Sequence, residues 1–260
     1  MEASDARRRS RERGIVREPG LDVERRGPEA YVAELLGTFL LVFFVCSMVS
    51  VASGLGVNDF AVIGLVHIAL LATLIYTLGS TSGAHFNPAV TLSLAALRRI
   101  APIDALIYVL VQLSGAVAGA LVTKVLLADE GRGVDYGATR LSELISGRPL
   151  AGLLAEFIGT FVLMWAIMGT AVNPRGSREW AGLVIGLALG LGVMVLGPLS
   201  GASFNPARTF GPAIVSGSWN DFWVYVVAPV LGALAAAFGY TAMVLRPQGR
   251  EPRRPIDTLP

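Results

Sequence analysis

The stretch SGAHFNPAV, Ser82–Val90, returns later in the chain as SGASFNPAR, Ser200–Arg208, identical at seven of nine positions. Each copy sets an Asn-Pro pair between two apolar runs. Pro lacks the N–H that a helix interior uses, and it is favoured at the first helical position, where that N–H would go unpaired. Asn before it is a good N-cap, because its side-chain oxygen accepts from first-turn amides. Each pair therefore predicts a helix start. The segments that follow, Asn87–Arg99 and Asn205–Gly217, are too short to cross a bilayer and too apolar to sit in water. Such lengths suit re-entrant structure. A helix of ~10 residues rises ~15 Å, half of a ~30 Å hydrocarbon core. Two of them entering from opposite faces would meet end to end at the midplane and together fill one span. Non-helical backbone at that depth is tolerated only where it is buried in protein or lines a water-filled cavity. LGSTSGAHF (Leu78–Phe86) and LGPLSGASF (Leu196–Phe204) are expected to supply it, with carbonyls free to line a path.

The surrounding composition fits a membrane. Of 260 residues, 53% are hydrophobic and 15% charged, against about 25% charged in soluble domains. The charge collects at the ends: eight Arg lie in the first 28 residues and four more follow Leu245. Between them, six apolar runs reach the roughly 20 residues that a spanning helix needs: 31–53, 60–79, 105–127, 153–172, 180–198 and 222–245. The predicted fold is an all-α membrane protein of six transmembrane helices plus two re-entrant half-helices. Its expected divisions are an Arg-rich disordered tail (1–28), a channel-like domain (29–246) and a second tail (247–260).

The net charge of +2 does not indicate nucleic acid, since Lys and Arg collect on short cytoplasmic segments of membrane proteins. Placing both tails in the cytoplasm puts Arg98, Arg99, Arg175 and Arg178 on the same side. The opposite loop, 128–150, mixes Arg132, Arg140 and Arg148 with Asp129, Glu130, Asp135 and Glu143. The expected location is a cell membrane, and short loops with heavy Arg usage suit a bacterial inner membrane. The tail is also a candidate for contact with anionic lipid. The single cysteine, Cys46, reads as a packing residue.

A second repeat fixes the organisation. AELLGTFLLVFF (Ala33–Phe44) matches AEFIGTFVLMWA (Ala155–Ala166) at Ala, Glu, Gly, Thr, Phe and one Leu. The chain is two related halves, about 30–127 and 152–246, each with three spans and one Asn-Pro segment. Three is odd, so the second half enters from the opposite side, giving an inverted repeat. The paired Glu34 and Glu156 lie inside the first and fourth spans. A carboxylate there suggests either ion coupling or support for the adjacent re-entrant loop, and duplication at matched positions favours support. Gly115 and Gly119, and Gly182, Gly186 and Gly190, recur every four residues, a spacing that lets helices approach closely in lipid.

On these motifs the sequence resembles the aquaporin family (major intrinsic proteins), whose signature is two NPA boxes in two inverted halves. The resemblance spans about Ala30–Leu245. It implies a passive channel for water, and also for small neutral solutes such as ammonia, hydrogen peroxide or urea, working as a homotetramer without a cofactor. Asn87, Pro88, Ala89 and Asn205, Pro206, Ala207 would form the pore centre. Each half-helix tip carries roughly +0.5 charge from aligned peptide dipoles, a barrier to protons and cations, and the Asn carboxamide N–H groups are expected to remain free for a passing oxygen. Arg208, where the first copy has Val90, would form the outer constriction with His67, Val193 and Ala202. That set departs from strict water channels and is similar to plant tonoplast-type members, so the constriction should be wider and less polar. Thr209, where the glycerol-conducting branch usually has Asp, and Ala213 disfavour glycerol, while Tyr225–Val226 is ambiguous. His85 is expected near the cytoplasmic mouth. Two other classes stay open: an ion-coupled secondary transporter, which also uses inverted repeats and broken helices, and a non-conducting scaffold. No metal cluster, phosphate loop or nucleophile–base set points to an enzyme.

Overall fold

The computed structural model describes residues 16–18, 21–23, 26–56 and 59–246; the remainder of the two expected tails lies outside the described residues. Ahead of the bundle, β1 (Val16–Glu18) and β2 (Leu21–Val23) form a short antiparallel pair, Val16 opposite Val23.

Six long helices make the bundle: α1 (Pro28–Gly54), α2 (Phe60–Ser82), α4 (Pro102–Leu126), α5 (Pro149–Ile167, continued by a π-helical turn to Val172), α6 (Ala181–Ser200) and α8 (Val224–Tyr240, continued to Leu245). With their terminal turns, each runs 22–27 residues, enough for a ~30 Å core at ~1.5 Å per residue. Local chemistry sets the starts. Pro28, Pro102 and Pro149 stand in the first turns of α1, α4 and α5, and Asp59 caps α2 by accepting from Ala61 N at 2.7 Å. The outward faces carry large apolar side chains such as Leu65, Leu110, Leu154 and Leu191, all more than half exposed. A helix apolar on every side belongs in a protein interior or a membrane, and here lipid covers the outer side.

The two half-helices are α3 (Pro88–Ala96) and α7 (Pro206–Ser216), of nine and eleven residues. At ~1.5 Å per residue they rise together ~30 Å, one bilayer core. Their packing is exchanged between the halves: α3 lies against α8 and α7 against α4, and the tips of α3 and α7 touch. Within each half the first and third spans pair, α1 with α4 and α5 with α8, and α2 crosses to α6. This is the inverted repeat, realised as a six-helix ring around two abutting half-helices.

The glycines act where helices come closest. A Cβ on Gly115 or Gly119 would fall within 2.6 Å of the α1 carbonyls of Leu35 or Phe39, and one on Gly186 within 2.7 Å of Ile68 O. Gly182 instead faces the Tyr76 ring.

With six spans, the start of α1 and the end of α8 stand on one face of the ring, here called the tail side. The opposite face holds the 128–148 connection with its short 3₁₀ turns Arg132–Gly137 and Glu143–Ile145.

Candidate functional site

Each half-helix is launched by the same device. α2 stays helical to Ser82 and α6 to Ser200, so the non-helical backbone is shorter than the sequence implied: only Gly83–Asn87 and Gly201–Asn205. Both helices close on a glycine with left-handed backbone, Gly83 at φ 89° and Gly201 at φ 78°, which glycine adopts without a Cβ clash. The next residues continue in that region with side chains: Ala84 and Phe86 at φ 52° and 47°, Ala202 and Phe204 at 45° and 53°. A non-glycine residue there costs about 1–2 kcal/mol, so the surroundings must hold the loops in place.

Glu34 and Glu156 do so. Glu34 Oε1 accepts from Ser82 Oγ and His85 N, and its Oε2 accepts from Phe86 N and Gln112 Nε2, all at 2.7–2.9 Å. Glu156 accepts from Ser200 Oγ, Ser203 N and Phe204 N over the same range. Both carboxylates are fully buried behind the loops. Tyr108 and Tyr225 finish the cradles by donating to Ser82 O and Ser200 O. The ring of Phe86 lies over Gly37 and that of Phe204 over Gly159, where a Cβ would approach ring carbons to 2.1 Å.

The loops deliver Asn87 and Asn205 as N-caps. Their Oδ1 atoms accept from Ala89 N and Ala207 N at 2.9 and 3.0 Å. Their amides are not wholly free, which corrects the expectation from sequence. Asn87 Nδ2 donates to Phe204 O and Asn205 Nδ2 to Phe86 O, each at 2.8 Å. A carboxamide nitrogen carries two hydrogens, so one of each is committed across the junction and one is left over. Pro88, Ala89, Pro206 and Ala207 are buried beneath the tips.

A cavity of about 730 Å³ runs along this junction. His67, Asn87, Asn205 and Arg208 all stand in its wall, with His85 and Ser203. Val193 and Ala202 do not; they are buried in the apolar cluster that also holds Phe86 and Phe204. Arg208 Nη1 donates to Gly137 O at 2.6 Å, while its buried Nε has no partner. His67 Nδ1 lies 2.8 Å from Ile63 O. A carbonyl only accepts, so Nδ1 carries the hydrogen, and in the neutral imidazole Nε2 is an acceptor. His85 Nδ1 lies 3.1 Å from Thr91 Oγ1. Thr209 is engaged by Ser203 Oγ at 2.6 Å and Thr139 Oγ1 at 2.9 Å. Among the described residues the wall holds Arg26, Arg99, Arg178 and Arg208 with the two His residues, and no carboxylate.

Gly137, Thr139 and the two tyrosines were not singled out as site residues from sequence. Tyr108 and Tyr225 sit at matched places in the two halves, a signal that could have found them. Gly137 acts through its carbonyl and leaves no side-chain mark.

Comparison with known proteins agrees with this geometry. The family described as "Major intrinsic protein" matches residues 25–240. The chain is 40% identical over 210 residues to "Aquaporin NIP1-1" of Zea mays, covering 80% of this chain and 72% of that protein. It is 39% identical over 242 residues to "Aquaporin TIP4-4" of Zea mays, covering 88% and 92%. Among solved structures, the aquaglyceroporin from Plasmodium falciparum has the same fold, with a TM-score of 0.72 at 23% identity over 85% of this chain and 97% of that one.

Proposed function

Given that the chain belongs to the major intrinsic protein family of passive membrane channels, we propose that it conducts water, together with small neutral solutes such as ammonia, hydrogen peroxide and urea, and excludes protons and ions. The observation that carries this reading is the pair of asparagines at two abutting half-helix tips, both in the wall of one cavity. Two dipole N-termini make the midplane positive. A water that accepts from both leftover amide hydrogens turns its own hydrogens outward, and the proton-hopping chain is broken there. Arg208 adds a fixed charge at the far end of the path.

Ion coupling finds no support, because Glu34 and Glu156 are committed to hydrogen-bond donors and neither reaches the cavity wall. Glycerol is the second reading, and Thr209 and Ala213 weigh against it. Both tails belong in the cytoplasm of a cell membrane by their Arg content, and the assembly is a homotetramer with one path per subunit. Stopped-flow light scattering on proteoliposomes, run with sucrose, glycerol, urea and ammonium gradients, tests the solute range. Water, urea and ammonia should cross well above the rate of empty vesicles. Glycerol crossing as fast as urea would transfer the chain to the second reading.

A further inference from the structure

Three arginines at the tail-side mouth are not explained by permeation of neutral solutes. Arg26 precedes α1, Arg99 follows α3 and Arg178 lies in the 3₁₀ turn Arg178–Trp180 that opens α6, yet all three stand in the cavity wall. Among the described residues their guanidinium groups have neither ion pair nor hydrogen bond. The bias of cytoplasmic faces toward Arg accounts for the side on which they lie. It does not account for their facing the path, since the neighbouring Arg98 and Arg175 are outside the wall.

Each is set in place by its backbone, leaving the side chain available. Arg26 N donates to Asp104 Oδ2 at 3.1 Å, and Tyr31 Oη donates to Asp104 Oδ1 at 2.7 Å. The buried Asp104 carboxylate thus grips the main chain of Arg26. The Arg26 Nη2 atom stands 3.8 Å from where a Cβ on Gly83 would be, over the entrance to the first loop. Arg99 N donates to Leu94 O at 2.8 Å. The turn of Arg178 is held by Tyr76, whose hydroxyl donates to Glu179 O and accepts from Leu183 N.

A concave mouth lined by one sign of charge focuses its field and concentrates counter-ions. Planar guanidinium forks match the oxygens of a phosphate group. We propose that Arg26, Arg99 and Arg178 form a binding site for a phosphate group at the tail-side mouth, and that a bound phosphate obstructs the path. The obstruction rests on the channel reading; the binding does not. The group could be free phosphate or the headgroup of phosphatidic acid, and the two arms of the test separate them.

In the first arm, purified full-length protein in a neutral maltoside detergent is melted in sodium phosphate and in sodium chloride of equal ionic strength. Ligand that binds only the folded state raises Tm, here by roughly 3–6 °C at about tenfold excess over Kd. The Arg99→Gln/Arg178→Gln double variant, altered at two exposed positions, should melt as wild type in chloride and lose the rise in phosphate. In the second arm, osmotic water flux is compared in phosphatidylcholine vesicles, with and without phosphate, and in vesicles containing about 20 mol% phosphatidic acid. At least a twofold fall in flux is expected with one source or both, and none in the double variant. A fall seen only with phosphatidic acid assigns the site to the headgroup. No effect in either arm, or an equal effect in the double variant, overturns the site. Binding without a fall in flux overturns the obstruction. Absent flux under every condition would reject the channel reading, while the melting arm still judges the site.

Discussion

Asn87 and Phe204, 117 positions apart and in opposite halves, are joined by a 2.8 Å hydrogen bond from the Asn carboxamide to the Phe carbonyl. Asn205 returns the same bond to Phe86. Each asparagine therefore works in three directions: its oxygen caps its own half-helix, one amide hydrogen ties it to the other half, and the second hydrogen is left for the path. The junction is held by both repeats at once, so disturbing one tip also disturbs the other.

Replacing Asn205 by Asp separates those tasks. Asp keeps the capping oxygen but places an acceptor against Phe86 O and adds a negative charge to the midplane. Asn205→Asp should lower water flux at least several-fold and weaken the barrier to cations. Water flux and cation leak measured on the same vesicles check this. An unchanged ratio of the two would contradict the role given to the amide.

Glu34 and Glu156 receive only donors. Replacing either by Gln turns one acceptor atom into a donor facing backbone N–H groups, and a lost hydrogen bond to a charged partner costs about 1.5–3 kcal/mol. Glu156→Gln should lower the melting temperature by on the order of 5 °C, followed by thermal unfolding in detergent. A proton-coupled role would instead leave the melting point in place and make transport insensitive to pH.

Gly37 and Gly159 leave room for the Phe86 and Phe204 rings. An added Cβ at 2.1 Å from a ring carbon must displace it, and overpacking of this kind costs about 1–3 kcal/mol. Gly159→Ala should be destabilised and conduct poorly, whereas Gly133→Ala, with nothing within 4 Å of its added Cβ, should behave as wild type. Melting curves and flux measured together test the pair.

Arg208 is fixed by Gly137 from the long loop. Arg208→Val removes the charge and widens the outer constriction. Urea flux should rise relative to water, and protons should begin to leak. Unchanged selectivity would place the constriction elsewhere.

Much of this was legible because it occurs twice. The Asn-Pro pairs, Glu34 with Glu156, and the three-span halves all carry a side-chain signature at matched positions, and the structure holds them in matched places. The helix ends shifted by a few residues where Pro28, Pro102 and Pro149 start spans earlier than the apolar runs suggest. What sequence could not give was made by backbone atoms or by a non-repeated segment. The Asn-to-Phe crossover uses carbonyls, which every residue has. The loop at 128–150, read only for its charge balance, folds inward to put Gly137 O on Arg208 and Thr139 on Thr209. Tyr225, considered for what it implied about solute preference, instead holds a loop carbonyl. Val193 and Ala202 lie buried beside the path, a placement that counting residues from a motif does not resolve.

The most direct test of the central claim is water and proton permeability measured on one preparation of proteoliposomes, by light scattering and by an entrapped pH dye. Water permeability should rise well above that of empty vesicles while proton permeability stays at the lipid background. Protons crossing in step with water, or no gain in water permeability at all, would contradict a positive two-asparagine junction as the heart of the path.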